Sequence, residues 1–525
     1  MLAHDANFLM SPWLSVTMSD RSHRMIAPWQ IAASDQGIVP IEFRYGDDFL
    51  PMAMIEFIGG LLQIFAAPED EDAWLEHWHQ PPDVESLRKV LEPFARHFSV
   101  YGETAAFQDR QANLGTPKPP SYLLCANGLL NAPISLQGAM AALVCLQAHC
   151  TDGGRGHRNS IRGAGALVTL PVVGSTLWHR VWSLVIPRGE FDRLGTGPVA
   201  YPWERATDAK AVVRPSTHPA SSLFLSMPRR VRLGMVEESG YCPIIGVHAP
   251  LIHSVATEAG GESHPAENWT HPLTPYMLRR LDKTTAPMRG VHVGASQGWG
   301  SRVGLLNPAT DNERIPSMIV RRWKDRIRDV RTPGEGPMVL KIHTFGMCYD
   351  HTAVLGMTSS LLSFRIAPQR WDVAVEGHLG RAVEAVAAVE RLLALQISEA
   401  MCGRKPELGS QTDKAAKPRI TEAATAAAGR IWTATEQAAD AFQTRVEGAM
   451  GDAHCDVDAI IVASQDLLRA VRAAALVIYD DVTSQCFRES PQRVMAGRAR
   501  VNAIHSAPSV RAPLGLSNVQ SKKAA

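Results

Sequence analysis

Residues 345–355, FGMCYDHTAVL, set a thiol, a carboxylate and an imidazole close together at Cys348, Asp350 and His351. A thiolate nucleophile needs a separately positioned base, and a hydrolytic metal site needs three protein ligands with an open position. Neither can be assembled from this spacing. The pair His4 and Asp5 is of the kind found in metal phosphohydrolases, yet no further His and Asp cluster accompanies it. These residues therefore predict no catalytic group, no metal site and no cofactor.

A different chemistry is offered by GGRGHRNSIRGAG, residues 153–165, with five glycines and three arginines. A phosphate-cradling nucleotide loop needs a Gly-Lys dipeptide, because the lysine neutralises the terminal phosphates, and the chain has none. A dinucleotide fingerprint needs its glycines to follow a strand and open a helix. Here they follow a helical pattern and lead into a strand. What survives is a loop whose glycines permit close backbone approach, with Arg155, Arg158 and Arg162 supplying charge, or else an ordinary solvated loop. A second basic cluster, RIPSMIVRRWKDRIRDVR at 314–331, flanks Trp323 with Arg321, Arg322, Lys324, Arg326 and Arg328. That mixture suits phosphate contacts plus base stacking, or equally a solvated helix face.

The elements behind these segments can be read from composition and periodicity. A chain of 525 residues exceeds one ordinary core and predicts two or more domains. Hydrophobic residues make up 45% and charged residues 20%, a globular balance. The formal charge of +1 leaves nucleic-acid contact to local patches. The cysteines at 125, 145, 150, 242, 348, 402, 455 and 486 form no CxxC pair, which predicts reduced thiols in a cytoplasmic protein. The apolar run at 51–67 contains Glu56 and is too short to span a bilayer, and no signal peptide is evident.

Before residue 370, short apolar runs mixed with Pro, Gly and Trp predict an α+β domain with many loops. Strands are predicted at 165–173, 231–236 and 338–345, and buried helices at 51–66 and 136–149. After 370 the period becomes helical. Val386, Val389, Leu393 and Ile397 mark a first helix; Ala424, Ala427, Ile431, Ala438 and Phe442 mark a second. Ile460, Ile461, Leu467, Leu468, Val471 and Val477 mark a third, and a fourth is placed within 480–505. The fold class predicted is α+β: a large mixed domain over 1–370, a four-helix bundle over 371–505 and a disordered tail over 506–525.

Several stretches, in order, resemble the large subunit (CasA family) of the type I-E CRISPR Cascade complex. They are NFLMSPWLSV (7–16), AMIEFIGGLLQIFAAPEDEDAW (53–74), FSVYGETAAFQD (98–109), the glycine-rich segment with its following strand and helix, and PASSLFLSMPRRVRL (219–233). The resemblance implies a non-catalytic DNA-binding and RNA-binding subunit of an antiviral ribonucleoprotein. Such subunits sense the protospacer-adjacent motif in double-stranded DNA, help open the duplex and recruit a separate helicase–nuclease. Their other partners are the crRNA-bearing Cascade subunits, and they use no cofactor and no membrane.

Residue by residue, the resemblance assigns DNA contact to Gly153, Gly154, Arg155, Gly156, His157 and Arg158. It assigns a strand-splitting turn to Asp350, His351 and Thr352, and a crRNA or subunit contact to Asn127 or Asn131. Three departures stand out: 253–270 holds neither Lys nor Arg where the family has a minor-groove lysine, so that either Arg279 or Arg280 substitutes or this member reads a different motif. Only Cys242 remains of the cysteine pairs that hold zinc in relatives, and His351 replaces the usual glutamine. Two other classes stay open: an independent nucleic-acid enzyme using Asp350 and His351, and a structural adaptor built on the bundle.

Overall fold

A computed structural model describes residues 5–102, 105–109, 118–124, 132–149, 156–158, 160–162, 165–205, 210–264, 269–278, 285–289, 298–307, 314–330, 338–350, 353–367, 372–401, 413–450 and 455–516. Two compact units emerge. The first comprises Met1–Val293, Pro316–Pro333 and Leu340–Leu361; the second comprises Gly294–Ile315, Gly334–Val339 and Leu362–Ala525.

The first unit opens with an antiparallel sheet of order β2-β1-β3, from β1 (Leu14–Met18), β2 (His23–Ile26) and β3 (Pro40–Phe43). Asp47 then starts α1 (Leu50–Phe65), its Oδ1 accepting from the Phe49 and Leu50 amides at 2.8 and 3.1 Å. This helix is buried almost all round, as its apolar composition requires. Asp70 and Asp83 cap α2 (Glu71–His79) and α3 (Val84–Leu91), each accepting at 2.9 Å from an amide in the first turn. After the short β4 (Ile134–Ser135), α4 (Leu136–His149) packs on α1. The expected helices at 51–66 and 136–149 are thus present almost to the residue.

The strand β5 (Val168–Pro171) leads into α5 (Leu177–Trp182) and α6 (Arg188–Asp192). Next come β6 (Arg230–Leu233), β7 (Val236–Cys242), β8 (Val247–Ile252) and β9 (Val255–Glu258). They form a sheet of order β4-β8-β7 and a β6-β9 pair, while β10 (Tyr276–Leu278) pairs with β11 (Thr285–Pro287). The expected strand at 231–236 is in fact the end of β6, a turn at Gly234 and the start of β7.

Two elements of the second unit intervene, α7 (Arg302–Leu305) and β12 (Arg314–Ile315). The chain then returns to the first unit with α8 (Met318–Asp329), capped by Ser317, and the long hairpin of β13 (Val339–Asp350) and β14 (Ala353–Arg365). The hairpin joins β5 in a sheet of order β14-β13-β5. Trp74, Trp78, Trp178, Trp182 and Trp323, all buried, form one aromatic cluster under α2, α5 and α8.

In the second unit, α9 (Asp372–Met401), α13 (Val457–Thr483) and α14 (Pro491–Ala503) are three rods of a helical bundle. The fourth rod is broken into α10 (Asp413–Gly429), α11 (Ile431–Ala434) and α12 (Glu436–Ala449). The breaks sit at Arg430 and Thr435; between them the Trp432 ring packs edge-on against Trp299 at 5.2 Å, and the Trp299 indole donates to Thr435 Oγ1 at 3.0 Å. Arg302 ties the same segment to α9 by donating to Glu376 at 2.6 Å. The change in composition near residue 370 gives no hint that 298–305 joins this unit.

Two expectations need correcting here. Val477 is 66% exposed, because Ala475, Ile478 and Tyr479 face the core in its place. The tail expected from 506 onward is ordered through Leu516: α15 (Pro508–Arg511) follows, and Val510, Leu514 and Leu516 are buried in the bundle core. Three apolar side chains in that stretch find a groove along α9, which a compositional reading cannot foresee.

Candidate nucleic-acid interface

The glycine-rich segment is described from Gly156. This residue has φ +90°, the left-handed region that glycine occupies without strain. Its carbonyl accepts from the Gly260 amide at 3.0 Å, and His157 forms a parallel bridge with Gly260. Gly156 is exposed, whereas His157 and Arg158 are half-buried. Gly153, Gly154 and Arg155 lie outside the described residues.

Three residues further on the chain dives inward. Ser160, Ile161 and Arg162 are buried. The Arg162 guanidinium contacts the Glu56 carboxylate in the middle of α1, and its Nη2 lies 2.8 Å from His271 Nε2. On the other side of Glu56, His149 Nε2 lies 3.1 Å from Oε2. Burial pushes the Arg162 guanidinium down to about 9 and the His149 imidazole down to about 3. Burial and the Arg162 charge hold His271 well below its ordinary value, so the ring is neutral. Arg162 is therefore not the surface charge its sequence context suggests; desolvation and an internal partner claim it.

Strand β13 runs antiparallel to β5, with Ile342 opposite Pro171 and Phe345 opposite Val168. The backbones close further at Gly346, where an added Cβ would stand 3.1 Å from the Ala166 carbonyl oxygen. This register sends the far end of β13 past the end of β5 at which the glycine-rich segment enters. Asp350 ends β13, about 13 Å beyond Gly346 at ordinary strand rise. His351 and Thr352 lie outside the described residues, as do Asn127, Asn131, Arg279 and Arg280. Midway along β13, the Phe345 ring meets His149 at 5.3 Å and Phe49 at 5.2 Å.

The second basic cluster proves to be an internally neutralised helix. Along α8, Ile319, Val320, Trp323, Arg326 and Ile327 face inward at helical spacing. Trp323 is fully buried and its indole donates to the Ser183 carbonyl at 2.8 Å, so it offers no surface for a base. The Arg326 guanidinium lies 3.7 Å from the Trp74 ring centroid and bonds to Glu71. Arg322 bonds to Glu71 at 2.6 Å and also to Glu190. A cavity of about 460 Å³ beside them is lined by Arg321, Arg322 and Arg326, but also by Glu71, Glu190, Asp325 and Asp329. Carboxylates outnumber guanidiniums there, which disfavours a phosphate backbone.

Cys348 is buried at 4% exposure on β13, remote from the role of an accessible nucleophile. Among the described residues, no group of three or more His, Cys, Asp or Glu is placed to hold a metal ion. Among them, too, no helix is long and apolar enough to cross a membrane. The residues missed by sequence reasoning are Glu56, His149 and His271. The signal was present in Glu56, a lone carboxylate inside an otherwise apolar helix.

Over residues 7–477 the sequence matches the family of CRISPR-associated protein Cse1. The chain belongs to this family. The resemblance drawn from the ordered sequence stretches is thereby established. Solved structures share the Cse1 fold. Cse1 from Acidimicrobium ferrooxidans is 17% identical, with a TM-score of 0.64 over 96% of this chain and 99% of that one. Thermus thermophilus CasA (Cse1) is 15% identical, with a TM-score of 0.66 over 98% and 99%. A chain of a CRISPR RNA-guided surveillance complex is 14% identical, with a TM-score of 0.65 over 96% and 99%. Among curated proteins none matches the sequence.

Proposed function

We propose that this Cse1 chain is the non-catalytic large subunit of a crRNA-guided antiviral surveillance complex that recognises the protospacer-adjacent motif in double-stranded DNA. The observation that supports the reading is the register of β13 on β5, in which β13 runs on to Asp350 beyond the end of β5 at which residues 165–167 enter. The minor groove displays a degenerate pattern at shallow depth, which backbone groups without side chains can approach. Gly153, Gly154, Arg155, Gly156, His157 and Arg158 form the reading edge. Asp350, His351 and Thr352 form the turn that parts the first base pairs, so that guide pairing can nucleate. Asn127 or Asn131 meets the crRNA or a neighbouring subunit. Once the duplex is open, the complex recruits a helicase–nuclease, which supplies the cutting activity in the cytoplasm.

The test is a binding screen of the reconstituted complex against duplexes carrying every short flanking motif, repeated with Gly156→Val and His351→Ala. Selective binding that both changes weaken supports the reading. Equal binding to all motifs, or selectivity indifferent to both changes, removes it.

A further inference from the structure

The buried charges around Glu56 raise a physical question. A guanidinium and a carboxylate removed from water recover their hydration only with good geometry and full hydrogen bonding. Arg162 Nε and Nη1 find no acceptor among the described residues, so the guanidinium is under-satisfied for its depth. An apolar pair of similar volume would hold the core at least as well. The cluster nonetheless touches both elements of the proposed interface. Arg162 lies within the glycine-rich segment itself, six residues after Gly156, and fixes where its chain enters the core. His149, at the end of α4, contacts Glu56 on one side and the Phe345 ring midway along β13 on the other.

Resting on the DNA-recognition reading, we infer that Glu56, His149, Arg162 and Phe345 are positioning residues that set the glycine-rich segment against the β13–β14 hairpin. Directional contacts suit this task. A buried ion pair of fixed geometry holds the orientation of a loop exit, whereas apolar packing permits sliding at little cost. Glu56 bridges the two sides because its carboxylate oxygens face different partners, Oε1 toward Arg162 and Oε2 toward His149. Phe345 carries the arrangement to the hairpin, and Phe49 buttresses it from the start of α1.

The experiment compares Glu56→Gln, Arg162→Met, the double variant Glu56→Leu/Arg162→Met, and Phe345→Leu in the reconstituted complex. Gly156→Val serves as the arm that tests the underlying reading. Thermal midpoint and complex assembly are measured beside the ratio of affinities for motif-bearing and motif-free duplexes. The single changes are expected to lower the midpoint and the ratio together. The double variant is expected to restore midpoint and assembly while the ratio stays reduced by about tenfold. Phe345→Leu keeps the ion pair and is expected to reduce the ratio with assembly intact.

If the double variant recovers the ratio along with the midpoint, the cluster is only structural and the inference is overturned. Should the double variant fail to assemble, Phe345→Leu decides alone, and an unchanged ratio overturns the inference. Where Gly156→Val also leaves the ratio unchanged, the DNA-recognition reading fails instead. A reduced ratio for Gly156→Val with normal ratios for the cluster variants removes the inference alone.

Discussion

Gly156 offers the most direct quantitative test. At φ +90° a residue with a side chain sits in strained backbone at a cost of roughly 1–3 kcal/mol, and a β-branched residue lies at the upper end. The surroundings add to this. A Cβ at Gly156 would stand 3.3 Å from the Ala259 Cβ, tighter than ordinary contact. Relief by moving the segment outward would break the 3.0 Å bond from the Gly260 amide to the Gly156 carbonyl, worth about 1 kcal/mol. Gly156→Val is therefore expected to disfavour the native loop by about 2 kcal/mol, which lowers the competent population and the duplex affinity by up to about thirtyfold. Gly156→Ala, without the branch, should cost about 1 kcal/mol and about fivefold. Fluorescence anisotropy of the assembled complex on a motif-bearing duplex measures both, with thermal denaturation as the control for global folding. Affinity of the valine variant within about twofold of the parent, with its motif preference intact, would show that this backbone takes no part in recognition.

Other outcomes follow from the same structure. Trp323→Ala should destabilise the chain by about 3–5 kcal/mol in chemical denaturation, since a fully buried indole and its bond to Ser183 are lost. Arg321→Ala should leave duplex affinity and its salt dependence within about twofold, because carboxylates dominate that cavity; a large loss would restore α8 as a DNA surface. His264 is buried with neither ring nitrogen bonded among the described residues, and burial pushes it down to about 3 from 6.5. The unfolded chain takes up a proton below pH 6.5 while the folded chain does not. Stability should thus fall as pH drops from 6.5, with His264 contributing about 2 kcal/mol near pH 5 beside the shares of His149 and His271, and His264→Phe should remove its part of that slope in denaturant titrations.

Sequence patterning reveals what depends on near neighbours along the chain. Helices at 51–66 and 136–149 show in unbroken apolar composition, and the bundle shows in its 3.6-residue period. The ordered family stretches identify Cse1 even at structural identities of 14–17%. What stays hidden depends on distant partners. Arg322 and Arg326 read as a basic face because Glu71, which neutralises them, lies some 250 positions earlier in the chain. Arg162 reads as loop charge because Glu56 and His271 meet it only in the fold. The breaks on either side of Trp432 are silent, and so is its partner Trp299, which belongs to a segment far upstream.

That broken rod has a consequence for how the bundle opens. Among the described side chains, its first half, α10, buries the small Ala424 and Ala428, whereas α12 buries Phe442 and Val446. Two halves with unequal anchorage and an interruption between them need not melt together. Amide protons of α10 should exchange with deuterated water well before those of α12, so one geometric rod behaves as two cooperative segments.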